Sequence, residues 1–342
     1  LANLVMIGEV AAPTGEEQAR VQLLAERLGA CGYSDCSIDE VGSVSARLPG
    51  TEGERTILLV TNADSLAERH EEPFIALSED RAIGPFFGDN SLALAFLISL
   101  PALLERLTLR LRSHVVVLGA AQMLERSNQL GLHHFLEGAA AGVQKALVLE
   151  TVQLGRLNHT CLGRFLADVT VRVPDDYDWG RYGATGAIVP LTDVIGRLAG
   201  IALPRRPSAQ IVFGRVRGGF THRSIAREAT VGLEVRSESA ALLDDVAQQI
   251  RDIVEEVHAR SGVQVTFNEF SRRAPGQLPI GHPLVQTVRA IHTAMGIETS
   301  LYATTGWLSA LLEKGIPAVT LGLTTGHLGK ESREIDETID LP

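Results

Sequence analysis

The stretch Ile57-Leu58-Leu59-Val60-Thr61-Asn62-Ala63-Asp64 joins four consecutive apolar residues to a polar tail. Apolar residues without alternation are typical of a strand that is buried on both faces. Residues 115–118, 146–149 and 318–321 form three further runs of the same character. The apolar segment 91–100 lies between two of these runs and predicts a buried helix. Strands that alternate with helices favour a mostly parallel sheet with helices on both sides.

A helix is also expected near the beginning of the chain. Thr14 and Glu17 have the spacing of a capping box, which predicts that a helix starts there. The apolar residues of this helix repeat at helical spacing, and they are Val21, Leu24, Ala25 and Leu28. Gly29 and Gly32 predict its end.

A different pattern interrupts the sheet between residues 164 and 271. The predicted elements are a strand at 165–173, a helix at 188–198, strands at 209–216 and 229–236, a helix at 240–259 and a strand at 263–267. The order β-α-β-β-α-β is typical of a ferredoxin-like α+β unit. The parallel-sheet pattern resumes after this segment. We therefore predict a discontinuous domain at 1–163 and 272–342, with an inserted domain at 164–271.

Composition limits the class of protein. At about 150 residues per domain, the 342 residues correspond to roughly two domains. The 45% of apolar residues exclude a disordered chain, and no apolar run is long enough to predict a membrane span. The formal net charge of −10 argues against nucleic acid as a partner, because phosphate backbones repel an acidic chain.

The cysteines and the first residues predict a cytoplasmic location. Cys31, Cys36 and Cys161 are too few for a disulfide framework, which favours a reducing compartment. The first residues also lack the basic stretch and apolar core of a secretion signal.

Polar residues follow the apolar runs where a binding site is expected. Ligands of an open α/β sheet gather at the carboxyl ends of its strands. Asp64, Glu150 and His327 follow three of the runs, and Asp89 precedes the helix predicted at 91–100. Three carboxylates and an imidazole suit zinc or manganese. The alternative is structural: Asp89 caps a helix, Glu150 ends a strand and His327 lies in a turn.

Several blocks of the sequence carry a family resemblance. They are Ala12-Pro13-Thr14-Gly15-Glu16-Glu17, Gly88-Asp89-Asn90-Ser91-Leu92, Gly214-Arg215-Val216-Arg217-Gly218-Gly219, AREATVGLEVRSE at 226–238, and Gly315-Ile316-Pro317-Ala318-Val319-Thr320-Leu321-Gly322. In this order they resemble the dizinc metallopeptidases typified by peptidase T, carboxypeptidase G and acetylornithine deacetylase. The resemblance covers nearly the whole chain. It implies an α/β fold in which a mostly parallel-sheet, zinc-peptidase-like catalytic domain carries an inserted ferredoxin-like α+β dimerisation domain.

The resemblance also implies roles for individual residues. Asp89 corresponds to the carboxylate that bridges the two metal ions, and Glu150 and His327 correspond to further metal ligands. Asp64 corresponds to the catalytic aspartate that orients the first metal-binding residue. The positions implied to contact substrate are Arg236, Arg223 and Tyr177.

Other positions depart from the family pattern. Asn62 stands where the family has a metal-binding histidine. Met123 and Leu124 stand in place of the Glu-Glu pair that supplies the general base and a ligand, and Glu125 replaces that pair only if the loop shifts. Tyr177 replaces the histidine of the inserted domain. The remaining residues predict one weakly held zinc ion or none.

Two functions fit this mixture. The first is a metal-dependent hydrolase of small peptides or N-acyl amino acids, with impaired or lost catalysis. The second is a non-catalytic, dimeric homologue that binds such a ligand or serves an active relative as a partner subunit. A third option, metal-free chemistry on Tyr177, Asp176 and Arg223, has no positive signal.

The inserted domain carries the expectations about ligand and partner. Arg223 and Arg236 form a predicted clamp for a carboxylate ligand, unless both pair with the acidic residues at 175, 176 and 178. The apolar segments 188–198 and 209–216 predict a homodimer, unless they only cover the domain's own sheet.

Overall fold

A computed structural model of the chain describes residues 1–53, 55–65, 74–85, 90–177, 180, 185–327 and 336–340. It divides into two compact units. The larger comprises Leu1–Cys161 with Gly276–Pro342, and the inserted unit comprises Leu162–Pro275.

The elements of both units are numbered in chain order. The strands are β1 (Ser34–Ile38), β2 (Val44–Leu48), β3 (Thr56–Asn62), β4 (Ala76–Leu77), β5 (Arg81–Pro85), β6 (His114–Ala120), β7 (Val143–Val152), β8 (Leu157–Asn158), β9 (Thr160–Cys161), β10 (Gly163–Arg172), β11 (Ala209–Gly218), β12 (Glu228–Ser237), β13 (Gln264–Arg273), β14 (Gly276–Gln277), β15 (Ala318–Thr324), β16 (Gly326–His327) and β17 (Asp336–Asp340). The helices are α1 (Ala2–Gly8), α2 (Gln18–Ala30), α3 (Ser91–Arg106), α4 (Leu130–Gly138), α5 (Ile188–Ala199), α6 (Ala240–Ser261), α7 (Pro283–Ala294) and α8 (Leu308–Glu313), and a 3₁₀ turn covers Glu125–Ser127.

The larger unit contains the predicted sheet. Its order is β1-β2-β6-β3-β7-β15-β8, and the neighbours β6, β3, β7 and β15 run parallel. These four strands contain the four apolar runs, so the mostly parallel sheet is confirmed. The strands β1 and β2 on one side and β8 on the other pair antiparallel with their neighbours, and β1 and β8 are the edges of the sheet.

Each face of this sheet has its own core because successive residues of a strand point to opposite faces. Leu59 packs in a cluster with residues of α2 and α3. Its neighbours Leu58 and Val60 pack in another cluster with residues of α4 and α8. Helices therefore cover both faces, as the alternation of strands and helices predicts.

The predicted capping box at α2 is wrong. The helix begins at Gln18, with Glu17 as N-cap and without a capping side chain. The Thr14 hydroxyl instead donates a hydrogen bond to Asp64, and the Glu17 carboxylate accepts from the backbone of Gly15. The Thr14 hydroxyl therefore serves the buried carboxylate of Asp64 and does not cap the helix.

The inserted unit has the predicted order β10-α5-β11-β12-α6-β13. Its antiparallel sheet has the strand order β11-β12-β10-β13. Both helices pack on one face, around a core that includes Phe165, Leu191 and Ile250. The ferredoxin-like pattern is therefore confirmed, and neither α5 nor α6 covers the opposite face of the sheet.

Two smaller sheets were not predicted. One has the order β16-β17-β5-β4, and the other pairs β14 with β9. In the part of the chain that the structure describes, no helix is both long and apolar enough to cross a membrane.

Candidate functional site

Asp64 lies just beyond the carboxyl end of β3 and is completely buried. Its Oδ2 accepts hydrogen bonds from the Thr14 hydroxyl at 2.9 Å and from the backbone amides of Met123 at 2.8 Å and Leu124 at 2.9 Å. Its Oδ1 accepts from the Asn62 side-chain amide at 3.3 Å. All four donors belong to the chain, so this carboxylate anchors the loop that follows β6.

A buried arginine accompanies this carboxylate. Arg20 is 2% exposed and donates to the backbone carbonyl of Val10 at 2.8 and 2.6 Å. It also donates to Asn90 Oδ1 at 3.3 Å, and the Asn90 amide in turn donates to the backbone carbonyl of Asp64. The sequence analysis missed Arg20, although a cation one turn before Leu24 on the apolar stripe of α2 was a usable signal.

Burial governs the electrostatics of this pair. Burial lowers the pKa of Arg20 to about 10, and the nearby charge of Asp64 opposes that shift. Burial also raises the pKa of Asp64, against hydrogen bonds from Leu124, Thr14 and Met123. Burial thus opposes the charged form of both groups, and the negative charge of Asp64 partly offsets this effect at Arg20.

Glu150, a predicted metal ligand, lies near the carboxyl end of β7 and forms an ion pair with Arg156. The two side chains are 17% and 11% exposed, respectively. Arg156 also donates to Asn158 at 2.5 Å and to Thr304 at 3.3 Å, and its guanidinium lies 5.2 Å from the centre of the Tyr302 ring. The cation beside Glu150 is thus held by several contacts of its own.

Gly306 leaves room for the Glu150 carboxylate. A Cβ atom at this position would lie 2.5 Å from Glu150 Oε1. The backbone amide of Gly306 donates to the Thr304 hydroxyl at 3.0 Å, which fixes the loop against the ion pair.

Apolar side chains occupy the two positions where the family has its Glu-Glu pair. The Met123 side chain is completely buried in the core between β6 and α4, and only its backbone amide faces Asp64. Leu124 is a partly buried neighbour of the same core. Glu125 begins the 3₁₀ turn, and its side chain lies outside what the structure describes.

The other two predicted metal ligands are not brought to this cluster by any described contact. His327 is exposed on β16, opposite Thr338 in the register of β17. Asp89 lies outside the described residues. Over the described ranges, no group of three or more histidines, cysteines and carboxylates has an arrangement that could hold a metal ion.

The described residues therefore do not fit a two-metal centre. Such a centre needs about two ligands per ion besides a bridging carboxylate. Asn62 and Met123 do not replace the missing ligands, because the Asn62 amide donates to Asp64 and the Met123 side chain packs in the core. Glu150 already has a cationic partner in Arg156.

Arg236, a predicted substrate contact, lies on β12 of the inserted unit. It donates to Glu234 at 2.6 Å, and Arg164 on β10 approaches the other oxygen of the same carboxylate at 3.1 Å. Burial acts to raise the pKa of Glu234, but hydrogen bonding to Arg236 and the charge of Arg164 hold it below its usual range. Two guanidiniums around one carboxylate leave a local charge of +1.

The alternative to the clamp, in which Arg236 pairs with the acidic residues at 175, 176 and 178, did not include this partner. Glu234 is two residues away on the same strand, and residues i and i+2 of a strand share one face. That alternation was a usable signal.

The other two predicted substrate contacts have separate environments. Arg223 is exposed in a turn, where its backbone amide donates to the Thr221 hydroxyl at 3.3 Å. The Tyr177 hydroxyl accepts a hydrogen bond from the Gly186 amide at 3.0 Å, and the ring packs against the core of the inserted unit. No described contact joins Arg223, Tyr177 and Arg236.

Solved structures share the fold of this chain. The aminopeptidase PepT of Bacillus cereus is 16% identical, with a TM-score of 0.73 over 99% of this chain and 92% of that one. The dipeptidase Dug1p of Saccharomyces cerevisiae is 13% identical, with a TM-score of 0.79 over 99% and 91%. A dinuclear metal-binding peptidase of Bacillus subtilis, YXEP, is 16% identical, with a TM-score of 0.66 over 99% and 91%.

These likenesses confirm the fold that the family resemblance implies. The matches span almost the whole of this chain and include both units. No protein-family model matches the sequence, and no curated protein is similar to it. At identities of 13–16% the likeness concerns the fold, and the chemistry has to be argued from the residues present.

Proposed function

We propose that this chain is a non-hydrolytic homologue of the dizinc metallopeptidases, which binds peptides or N-acyl amino acids without cutting them. The observation that carries the proposal is the ion pair between Glu150 and Arg156. A guanidinium supplies, from within the chain, the positive charge that a metal ion supplies to this carboxylate in the family. A cation at bonding distance from Glu150 competes directly with a metal ion.

The surroundings of Asp64 support the same conclusion. A catalytic aspartate of this family orients a metal-binding histidine, but here its partners are an asparagine, a hydroxyl and two backbone amides. Met123 removes the carboxylate that would activate water. Loss of a general base alone typically costs about 100- to 10,000-fold in rate.

The implied ligand retains a chemical rationale in the inserted unit. Arg164, Glu234 and Arg236 form a cluster with one positive charge in excess, which suits a ligand carboxylate. Such binding needs the guanidiniums but neither a metal ion nor a base.

Assembly as a homodimer belongs to the same proposal. The strand β11 is an edge of its sheet, and Val216 on it is 61% exposed. Ile188 and Val189 at the start of α5 are 44% and 52% exposed, although Leu191 and Val194 of the same helix pack in the unit's own core. The exposed apolar residues favour a second copy as the partner.

The test compares metal binding by variants with and without Arg156. We expect the unaltered chain to contain less than one zinc ion by elemental analysis and to keep its melting temperature in a chelator. The triple variant Asn62→His, Met123→Glu, Leu124→Glu returns the family's residue types to these positions, but Arg156 still pairs with Glu150. Adding Arg156→Met should therefore strengthen zinc binding about tenfold or more in titration calorimetry.

A matched control separates this effect from a general loss of positive charge. Arg110 is exposed, and Arg110→Met added to the same triple variant should leave zinc affinity unchanged. Two zinc ions per unaltered chain, together with peptide hydrolysis that a chelator abolishes, would overturn the proposal and establish the hydrolase.

A further inference from the structure

The basic residues of the inserted unit are all arginines. Leu162–Pro275 contain 15 arginines, no lysine and 14 acidic residues, whereas the rest of the chain has 16 basic and 27 acidic residues. The net negative charge of the protein therefore comes from the residues outside the inserted unit. Arginine presents a planar set of donors that matches carboxylate and phosphate oxygens.

The register of the strands concentrates these arginines on one face. Residues directly opposite each other in antiparallel strands point to the same face. The face turned away from α5 and α6, here called the open face, carries two charged sets. Its arginines are Arg164, Arg172, Arg215, Arg217, Arg236 and Arg273, and its carboxylates are Asp168, Glu228 and Glu234.

A pocket of about 390 Å³ opens on this face. Its lining includes Thr170, Arg215, Arg217, Glu228 and Thr230. The volume lies within the range typical of small-molecule sites. All of these residues lie within the inserted unit, so the pocket is a property of this unit alone.

Hydrogen bonds position the arginine that forms one wall of the pocket. Arg215 lies across Gly232 and donates to both oxygens of Asp168, at 3.0 and 3.2 Å. A Cβ atom on Gly232 would lie 2.8 Å from Cγ and Nε of Arg215. The glycine therefore lets the guanidinium lie flat on the sheet.

A second charge pair closes another side. Arg172 donates through Nε to Glu228 at 3.0 Å. The hydroxyls of Thr170 and Thr230 lie 3.0 Å apart on the floor, where the pair can still donate one hydrogen bond. These contacts neutralise Asp168 and Glu228 within the unit.

Arg217 belongs to neither of these two charge pairs. It is exposed, and the described part of the chain offers its side chain no ion pair or hydrogen bond. The charged and polar groups that line the pocket are thus the pair of Asp168 with Arg215, the Glu228 carboxylate with its partner Arg172 behind it, two hydroxyls and the uncompensated guanidinium of Arg217.

We propose that this pocket binds the oxyanion of a small organic anion, a carboxylate or a phosphate, with Arg217 as its principal cation. Arg215 and the threonine hydroxyls supply further donors. Single-stranded RNA, another ligand of open basic sheets, is disfavoured because no paired position of the open face carries an aromatic ring for base stacking. Phe165, Phe213 and Phe267 pack on the helix side, and Phe270 lies at the bulge of β13, outside the paired positions.

The test titrates the full chain with glutarate and, separately, with inorganic phosphate in a calorimeter. We expect one of these anions to bind and Arg217→Gln to weaken it about tenfold, because one charge-assisted hydrogen bond is lost. Binding of glutarate alone identifies a carboxylate ligand, and binding of phosphate alone identifies a phosphate ester. Arg205→Gln, at an exposed turn of the same unit, is the matched control and should bind like the unaltered chain.

Gly232→Ala provides a second variant that keeps every charge. Its methyl group displaces Arg215 from the sheet, so binding should weaken while Arg217 remains in place. Equal losses in Arg217→Gln and Arg205→Gln, no binding of either anion, or preferential binding of a single-stranded oligonucleotide would overturn the proposal. None of these results bears on Arg156, so the function proposed above is tested separately.

Discussion

Charged side chains are paired differently at the carboxyl ends of the parallel strands and on the open face of the inserted sheet. At the edge, the chain itself satisfies Asp64 with four donors and pairs Glu150 with Arg156. On the open face, arginines outnumber carboxylates, and Arg217 keeps no partner among the described residues. The first arrangement stabilises the fold, whereas the second retains the capacity to bind an external anion.

Under the proposed function, this contrast explains how the fold persists without hydrolysis. A metal site that loses ligands leaves buried carboxylates without a counter-charge, which is costly in a region of low dielectric. Arg156 and the donors around Asp64 remove that cost. In the proposed non-hydrolytic homologue, the paired carboxylates contribute to stability and do not serve as metal ligands.

Removing the Asp64 carboxylate should cause the largest loss of stability, because it disrupts the hydrogen bonds at the carboxyl end of β3. In Asp64→Ala, the donors on Thr14, Asn62, Met123 and Leu124 lose their acceptor while they remain buried. We expect the free energy of unfolding to fall by about 3–5 kcal/mol, measured in urea.

Asp80→Ala is the matched control, because Asp80 is exposed on the surface of the same unit and should change stability by less than about 0.5 kcal/mol. A loss at Asp64 no larger than that of the control would show that the network contributes nothing. In that case the contrast between the two regions would disappear.

Much of the fold could be predicted because long apolar runs dictate it. The runs at 57–60, 115–118, 146–149 and 318–321 each lie inside an observed parallel strand, since a strand buried on both faces leaves little room for polar residues. The strand β1 was missed because all five of its residues, SDCSI, are exposed and carry no periodic signal. Edge strands of this kind are specified by their neighbours.

The candidate site could be predicted only at positions where the residue type differs from the family motif. Asn62 and Met123 depart from a motif and can be read from the sequence. Arg156 cannot, because it reaches Glu150 only after the chain turns back between Gln153 and Arg156, where Gln153 has a φ of 79°. A contact made by a reversal of the backbone leaves no spacing rule in the sequence.

The cluster on the open face should respond to pH in a predictable direction. Arg236 and Arg164 hold the pKa of Glu234 below its usual range, so the folded state favours the charged form of this carboxylate. Its contribution to stability is present above the unfolded-state pKa, about 4.3, and is lost as pH falls through the lower pKa of the folded state.

Glu234→Gln should therefore cost about 1–2 kcal/mol at pH 7, and this difference from the unaltered chain should shrink as pH falls from about 5 towards 3. Thermal unfolding at several pH values measures it. Glu255→Gln, at an exposed position of α6, should show no such dependence. A Glu234→Gln difference that stays constant with pH would mean that the cluster holds no coupled charges.

The smallest effect on stability is expected at two exposed apolar side chains, Val216 near the end of β11 and Phe220 just beyond it, and their role in assembly sharpens the contrast. Phe220 is 97% exposed and Val216 is 61% exposed, so Val216→Asp with Phe220→Asp should leave the free energy of unfolding of a single chain within about 0.5 kcal/mol of its original value. The same pair of charges should disrupt a two-fold contact through this edge, because it places like charges opposite each other across the symmetry axis. Light scattering at micromolar concentration should then show a dimer for the unaltered chain and a monomer for the variant.

Leu107→Asp with Leu109→Asp, two exposed leucines of the larger unit, is the matched control and should remain dimeric. A monomer in the unaltered protein would mean that these exposed side chains serve no self-association, and that the open face of each inserted unit acts alone.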